Sequence, residues 1–203
     1  MIGVILAGGA STRFGSNKAL HKIEGKPFYE HVYETFKESD VSRIVLSTNK
    51  KMTAYFESEI KEKQLDMHVV TDIEADCGPM SGIYTVMEAS VSESYFVVSV
   101  DTPFITTEAI NYLISCFNTR SVNALCYKDD LQVHRTIAIY HRSLLPVIQE
   151  SMKQKRYSLK QLTVEAQFIP VSEVSDESEW YANINTKNDL QSVRRVTNGT
   201  NNR

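Results

Sequence analysis

Four short runs of apolar, largely β-branched or aromatic residues recur through the first hundred positions, each followed by a stretch of different periodicity. The runs are Ile2-Gly3-Val4-Ile5-Leu6-Ala7, Arg43-Ile44-Val45-Leu46-Ser47, Met67-His68-Val69-Val70 and Tyr95-Phe96-Val97-Val98-Ser99-Val100. Their length and composition suit strands buried on both faces. Between them lie helical patterns. Pro27 opens a stretch to about Ser39, with proline in a favoured first-turn position and Phe28, Val32 and Phe36 on one face. Lys51 to Lys63 is charged and amphipathic, and Met80 to Ala89 follows Gly78-Pro79. Thr107 is placed to cap a helix to about Phe117, with Glu108 and Ala109 in its first turn. Four strand–helix alternations at this spacing predict an α/β fold, a mostly parallel sheet with helices on both faces.

The second half is less regular. Val122 to Tyr127 and Thr136 to Tyr140 read as strands, Ser143 to Lys153 as a helix and Tyr157 to Leu162 as a short helix. Phe168 to Val171 reads as a late strand and Thr186 to Val196 as the last helix. The polar, Asn-rich stretch Thr197 to Arg203 is expected to fray.

The bulk numbers exclude several functions. A formal charge of −3 offers no basic excess for nucleic acid and no acidic tail. The three cysteines, Cys77, Cys116 and Cys126, show no CxxC spacing, which argues against a disulfide framework or a zinc knuckle. No segment approaches the roughly 20 apolar residues of a membrane span, and the short run after Met1 lacks the basic flank of a signal peptide. The expected location is the cytoplasm.

The loop after the first strand carries the chemistry. Leu6-Ala7-Gly8-Gly9-Ala10-Ser11-Thr12-Arg13-Phe14-Gly15-Ser16-Asn17-Lys18 leaves the carboxyl end of that strand, where open parallel sheets bind ligands. Gly8 and Gly9 let the backbone approach a triphosphate and aim N–H groups at it. Arg13 brings a planar fork for phosphate oxygens and Lys18 a compact positive charge. Two better-known phosphate motifs do not fit. The P-loop requires Gly-Lys-Ser/Thr, whereas Lys18 follows Asn17; the dinucleotide fingerprint requires Gly-x-Gly, whereas Gly8 and Gly9 are adjacent.

Asp101 ends the fourth apolar run and precedes Thr102-Pro103-Phe104, on the edge of the sheet that the glycine loop occupies. A carboxylate there suits magnesium, which takes one or two carboxylates plus substrate phosphates. A plain Asx turn before Pro103 is the competing reading. Asp72 ends the third run and would approach a ribose, a base or a second metal, or simply make a turn. Asn183 and Asn185 alternate before the last helix, where one caps it and the pair offers ligand hydrogen bonds. His134-Arg135 and Lys155-Arg156-Tyr157 read either as solvated groups or as contacts to an anionic second substrate.

At these residues the sequence resembles the molybdenum cofactor guanylyltransferases, the MobA family, over nearly the whole chain. The family's Leu-Ala-Gly-Gly-x-Ser-x-Arg-Met-Gly followed by Asp-Lys matches Leu6 to Lys18, with Phe14 for Met and Asn17 for Asp. Its Gly-Pro-Leu-Ala-Gly matches Gly78 to Gly82, with Met80 and Ser81 replacing Leu and Ala. Its Asp-x-Pro-Phe matches Asp101 to Phe104, and its Asn-x-Asn-Thr-x-x-Asp/Glu-Leu matches Asn183 to Leu190. Where the family often has His-Pro-Thr, this chain has His134-Arg135-Thr136.

The resemblance implies a Rossmann-like, three-layer α/β fold that binds GTP and Mg2+. It implies transfer of GMP to the terminal phosphate of molybdopterin, with release of pyrophosphate. Carried over by position, Leu6, Ala7, Gly8, Gly9, Lys18, Asp72 and Asp101 would contact GTP, with Gly78 and Pro79 near the guanine. Asp101 would hold the metal, Arg13, Lys18 and Asp101 would carry catalysis, and Asn183 and Asn185 would face the pterin. The partners implied are GTP, molybdopterin, other cofactor-biosynthesis proteins and a molybdoenzyme chaperone, with neither nucleic acid nor membrane. One domain is expected over 1–196, a nucleotide-binding half to about 105 and a second-substrate half from about 106, with 197–203 as the tail. Two other readings stand beside this one: a cytidylyltransferase acting on the pterin or on a sugar phosphate, and a non-catalytic GTP or cofactor carrier.

Overall fold

Each of the four apolar runs becomes a strand, and all four strands share one sheet. The structure, a computed structural model, describes residues 1–9, 17–74, 77–175, 179–186 and 188–193. In chain order the elements are β1 (Ile2–Leu6), a hairpin of β2 (Lys22–Ile23) and β3 (Lys26–Pro27), α1 (Phe28–Lys37), β4 (Arg43–Thr48), α2 (Thr53–Lys63) and β5 (His68–Thr71). There follow α3 (Gly78–Ala89), β6 (Ser94–Ser99), α4 (Thr107–Asn118), β7 (Ala124–Lys128), β8 (Val133–His141), α5 (Leu145–Lys153) and β9 (Gln167–Pro170). The seven-stranded sheet runs β5-β4-β1-β6-β8-β7-β9. Strands β5, β4, β1 and β6 are parallel, β8 is antiparallel to both its neighbours, and β9 is parallel to β7.

The pleat sorts side chains into two cores. Along β1, Ile2, Val4 and Leu6 join the cluster made with Met80, Ile83, Val86 and Met87 of α3 and Ile148 of α5. Ile5 and Ala7 point the other way, into the cluster made with Tyr29, Val32, Tyr33 and Phe36 of α1, Phe56 of α2 and Ile110, Leu113 and Ile114 of α4. This period-two division produces helix, sheet and helix layers. Both halves of the chain contribute strands to the same sheet. No described helix is long and apolar enough to cross a membrane.

Several boundaries differ from the sequence reading. Pro27 sits just before α1 in extended geometry, because it closes the β2–β3 hairpin whose turn residues Glu24 and Gly25 take φ of 52° and 83°. That hairpin is too short for a periodic signal. Thr106, not Thr107, caps α4, its hydroxyl accepting from the Ala109 N–H at 3.1 Å. The expected helix from Ser143 starts as a 3-10 turn at Arg142–Leu144 before Pro146 enters the first turn of α5. The short helix at Tyr157 to Leu162 is a 3-10 turn at Leu159–Thr163. Of the last helix, residues 188–193 are helical, while 194–196 and the tail lie outside the described residues.

Gly3 leaves space on β1 for the fully buried ring of Phe36, which lies 3.0 Å from where a Cβ would stand and packs edge-on against Phe96. Phe36 therefore ties α1 to the two central strands. Phe36→Ala is expected to destabilise the protein by about 3–5 kcal/mol in denaturant unfolding; a loss below about 1 kcal/mol would show that α1 is anchored elsewhere.

Candidate active site

Strand β1 is flanked by β4 and β6, both parallel to it. The chain moves outward from β1 through β4 to β5 and then returns to lay β6 on the other side. At such a reversal the loops after adjacent strands diverge and leave a crevice at their carboxyl ends. Gly8 follows β1, Asp72 follows β5 and Asp101 follows β6, so all three border this edge. The ladder continues past β1: the Ala7 N–H donates to the Ser47 carbonyl at 2.8 Å and the Val100 N–H to the Leu6 carbonyl at 3.1 Å. Leu6 and Ala7 bury their side chains in opposite cores, so only their backbone is available at the crevice.

On the β4–β5 side the packing is close. A Cβ on Gly8 would collide with Asp72 Oδ2, so a larger residue there would have to displace that carboxylate from its place beside Ser47. Among the described residues a Cβ on Gly9 would meet no such atom. The Ser47 hydroxyl donates to Asp72 Oδ1, the Asp72 N–H donates to the Thr48 carbonyl at 2.8 Å, and Asn49 Nδ2 donates to the Gly8 carbonyl at 3.1 Å. Burial pushes the Asp72 carboxyl above the ordinary carboxylate range, with the Ser47 hydrogen bond partly opposing it. Helix α3 begins beside this group. Gly78 takes φ of +65°, a region glycine enters without strain, and Pro79 follows in the first turn.

On the β6 side three separate segments meet. Asn17 Oδ1 accepts from the Ala19 N–H at 3.0 Å and caps the 3-10 turn Lys18–Leu20. The asparagine thus keeps the cap that an aspartate would provide. Lys18 Nζ donates to Asn185 Oδ1 at 2.8 Å and stands 3.4 Å from Asp101 Oδ2. Asp101 Oδ1 is buried and has no hydrogen-bond partner among the described residues. An ionised oxygen in that state is costly unless a cation meets it, which is the condition a magnesium ligand satisfies. Among the described residues no three His, Cys, Asp or Glu side chains gather, so a divalent ion held here would draw its other ligands from substrate and water.

The C-terminal segment is registered onto the same strand end. The Ile184 N–H donates to the Asp101 carbonyl at 2.7 Å, and Thr102 Oγ1 donates to Asn183 Oδ1 at 3.0 Å. Ile184 fills a small core with Ile23, Phe28 and Leu190. Asp189 Oδ2 accepts from the Asn185 and Thr186 N–H groups, both at 2.8 Å, while Thr186 Oγ1 accepts from the Asp189 N–H at 3.2 Å. This reciprocal capping box fixes the backbone that carries Asn185. Trp180 is buried edge-on against Tyr127 and packs the preceding turn.

Lys18, Asp101, Asn183 and Asn185 are therefore brought together, and Gly8, Asp72, Gly78 and Pro79 border the neighbouring wall. Arg13 lies outside the described residues. Strand β8 continues past the last β6 pair, Val98 with Ile137, so His134 and Arg135 reach this same edge. They are built into the scaffold there: His134 is buried and bonded to Asp129 Oδ2 at 3.0 Å, and Arg135 Nε donates to Thr163 Oγ1 at 2.9 Å. Ser47, Asn49 and Thr102 were missed from sequence. The available signal was polar residues directly following an apolar strand, at Ser47-Thr48-Asn49 and after Asp101. A cavity of about 450 Å³ lined by Glu93, Arg120, Asn123 and His141 lies at the opposite edge of the sheet.

The MobA-like NTP transferase domain matches residues 3–167 of this chain. Among solved structures, molybdopterin-guanine dinucleotide biosynthesis protein A from Archaeoglobus fulgidus superposes with a TM-score of 0.80 at 20% identity, covering 98% of this chain and 100% of that one. A protein from Aquifex aeolicus is 27% identical with a TM-score of 0.71, covering 92% and 94%. CMP:2-keto-3-deoxy-manno-octonic acid synthetase, solved with CTP, is 16% identical with a TM-score of 0.75, covering 98% of each.

Burial of Asp72 makes the stability of the protein depend on pH. Its folded-state pKa lies above the ordinary 3.8, so the native state holds the proton more tightly than the unfolded chain. The stability this gives is fully present below the unfolded value and is lost as pH rises through the folded one. The unfolding free energy of wild type minus that of Asp72→Asn should therefore fall as pH is raised from about 3.5 to 7. A difference that grows over that range, read by denaturant titration, would show a carboxylate stabilised rather than strained by its surroundings.

Proposed function

Because this chain belongs to the MobA-like NTP transferase family, we propose that it is a nucleotidyltransferase that transfers GMP from GTP to the terminal phosphate of molybdopterin, releasing pyrophosphate. The observation that carries this reading is the meeting of Lys18, Asn185 and the half-buried Asp101 at the end of β6, one strand from the Gly8 turn. The guanine and pterin assignments are supported by the motifs at Gly78–Gly82 and Asn183–Leu190. The Archaeoglobus protein that shares this fold is named for molybdopterin-guanine dinucleotide biosynthesis.

In this mechanism a phosphate oxygen of the acceptor attacks the α-phosphorus of GTP. One P–O bond forms to the acceptor, and the bond between the α-phosphorus and its bridging oxygen breaks toward pyrophosphate. The nucleophile is already ionised, so no side chain is needed as a strong base; rate comes from alignment and charge neutralisation. Asp101 would hold Mg2+ through its buried oxygen, and the ion when bound neutralises phosphate charge. The backbone at Gly8 and Gly9 would receive the triphosphate, with the Asp72 carboxylate packed against the side of Gly8 where a Cβ would stand. Lys18 and Arg13 would take up charge on the leaving pyrophosphate. Lys18 is presented for this by the Asn17 cap behind it and the Asn185 amide in front. Asn185 thereby links the acceptor side to the donor side, and Asn183 is oriented by the Thr102 hydroxyl.

The likeness to a CTP-dependent synthetase supports a second reading, a cytidylyltransferase. Incubation with GTP labelled at the α-phosphate, Mg2+ and molybdopterin should move label into the guanine dinucleotide, with unlabelled CTP and ATP competing poorly. Competition by CTP stronger than by GTP would favour the cytidylyl reading. Asp101→Ala should lower turnover at least about 100-fold, as loss of one preorganised electrostatic element does. Near-normal turnover in that variant would remove Asp101 from metal binding. Pyrophosphate release that never exceeds background, despite tight GTP binding, would point to a carrier.

A further inference from the structure

Two buried hydroxyls on α3 have a role that phosphate chemistry does not call for. Ser81 and Thr85 stand one turn apart and share a helix face, with 1% and 3% of their surfaces exposed. Their partners are the residues that leave β5. The Ile73 N–H donates to Thr85 Oγ1 at 2.9 Å, the Glu74 N–H donates to Ser81 Oγ at 3.3 Å, and the Ser81 hydroxyl donates to the Glu74 carbonyl at 2.7 Å. The Asp72 N–H makes the last bond to the neighbouring strand, to the Thr48 carbonyl. The next two backbone amides are both received by side chains of a single helix.

That helix cannot shift to follow the loop. A Cβ on Gly82, between the two hydroxyl residues, would stand 2.7 Å from Leu6 Cδ2 and 2.8 Å from Ser47 Oγ, so α3 lies directly on β1 and β4. Ser47 in turn donates to the Asp72 carboxylate. Asp72 is therefore fixed from both directions, its carboxylate by Ser47 and its following backbone by Thr85 and Ser81. Packing alone does not demand the hydroxyl at 81, where the family motif quoted above has alanine.

We propose that Ser81 and Thr85 are positioning residues for nucleotide selectivity: by pinning the backbone at Ile73 and Glu74 they hold Asp72 and these two residues as a fixed hydrogen-bonding edge against which the base of a nucleoside triphosphate is read. This rests on the nucleotidyltransferase reading, with the phosphates between Gly8 and Asp101 and the nucleoside toward Asp72. A rigid polar edge discriminates because the wrong base leaves buried donors and acceptors unpaired, whereas a loose edge rearranges to meet it.

The test is calorimetric binding of GTP, CTP, ATP and inorganic pyrophosphate, each with Mg2+, to the full chain. Wild type is compared with S81A, T85V, the double variant S81A/T85V and the conservative T85S. Wild type should favour one nucleotide, and the double variant should narrow the ratio of dissociation constants by about tenfold. Pyrophosphate affinity should change by less than about twofold, and T85S should keep the wild-type ratio. S81A alone should narrow the ratio by about threefold, which serves if the double variant does not fold. An unchanged ratio, or nucleotides and pyrophosphate weakening in parallel, overturns the proposal, the latter by showing a general structural loss. Wild type binding all three nucleotides equally overturns selectivity at this edge but leaves the enzyme reading intact. Wild type binding none of them overturns the enzyme reading and this inference with it.

Discussion

The arrangement at this edge depends on the parallel pairing of β1 with β6, in which Leu6 stands opposite Ser99. That register sets the turn after Leu6 and the carboxylate after Val100 side by side, although more than ninety positions separate them in the chain. The pairing is maintained by burial rather than by local signals. Ile2, Val4, Ile5, Val97 and Val98 are covered on both faces, and a slip of one residue would exchange their two cores. The chemistry at the rim inherits its geometry from apolar side chains that never reach the crevice.

A second constraint works by exclusion. Gly8, Asp72, Ser47 and Gly82 form a stack in which each member occupies the space a larger neighbour would need. Gly8 admits the Asp72 carboxylate, Ser47 bonds it, and Gly82 admits Ser47. The consequence is a carboxyl group held partly out of water, with its pKa raised, at the wall of a crevice open to solvent. Burying such a group is unfavourable by itself, and it is sustained because the surrounding helix and strands are fixed by their own cores.

The opposite wall is made by segments with little regular structure. The turn holding Lys18, the end of β6 and residues 183–186 come from the start, middle and end of the chain. They are joined by one backbone hydrogen bond from Ile184 to Asp101, a capping box at Thr186 and Asp189, and a four-residue apolar cluster around Ile184. None of these contributes much alone. Together they place two asparagines beside a lysine and a carboxylate, and they couple the C-terminal segment to the strand that carries Asp101.

The fold class was legible because apolar runs and helical periodicity are local properties, and each of the four early runs became a strand. The glycine turn, Asp101 and the Asn183–Asn185 pair were legible as residue types at strand and helix ends. Pro27 and Thr106 departed from the sequence reading because caps depend on where the neighbouring turn closes, and the β2–β3 hairpin has no periodicity to read. Ser47, Asn49, Ser81 and Thr85 resemble ordinary strand and helix residues until their partners are known. The sequence by itself determined a sheet of buried strands and the chemical groups stationed at its carboxyl ends, since both follow from near-neighbour patterning. Only the tertiary structure decided that Gly8 packs against the Asp72 carboxylate, that Lys18 rests on Asn185, and that among the described residues Asp101 keeps one oxygen unpaired. Those outcomes depend on distances between segments far apart in the chain, which burial of two opposed cores fixes and no local pattern encodes.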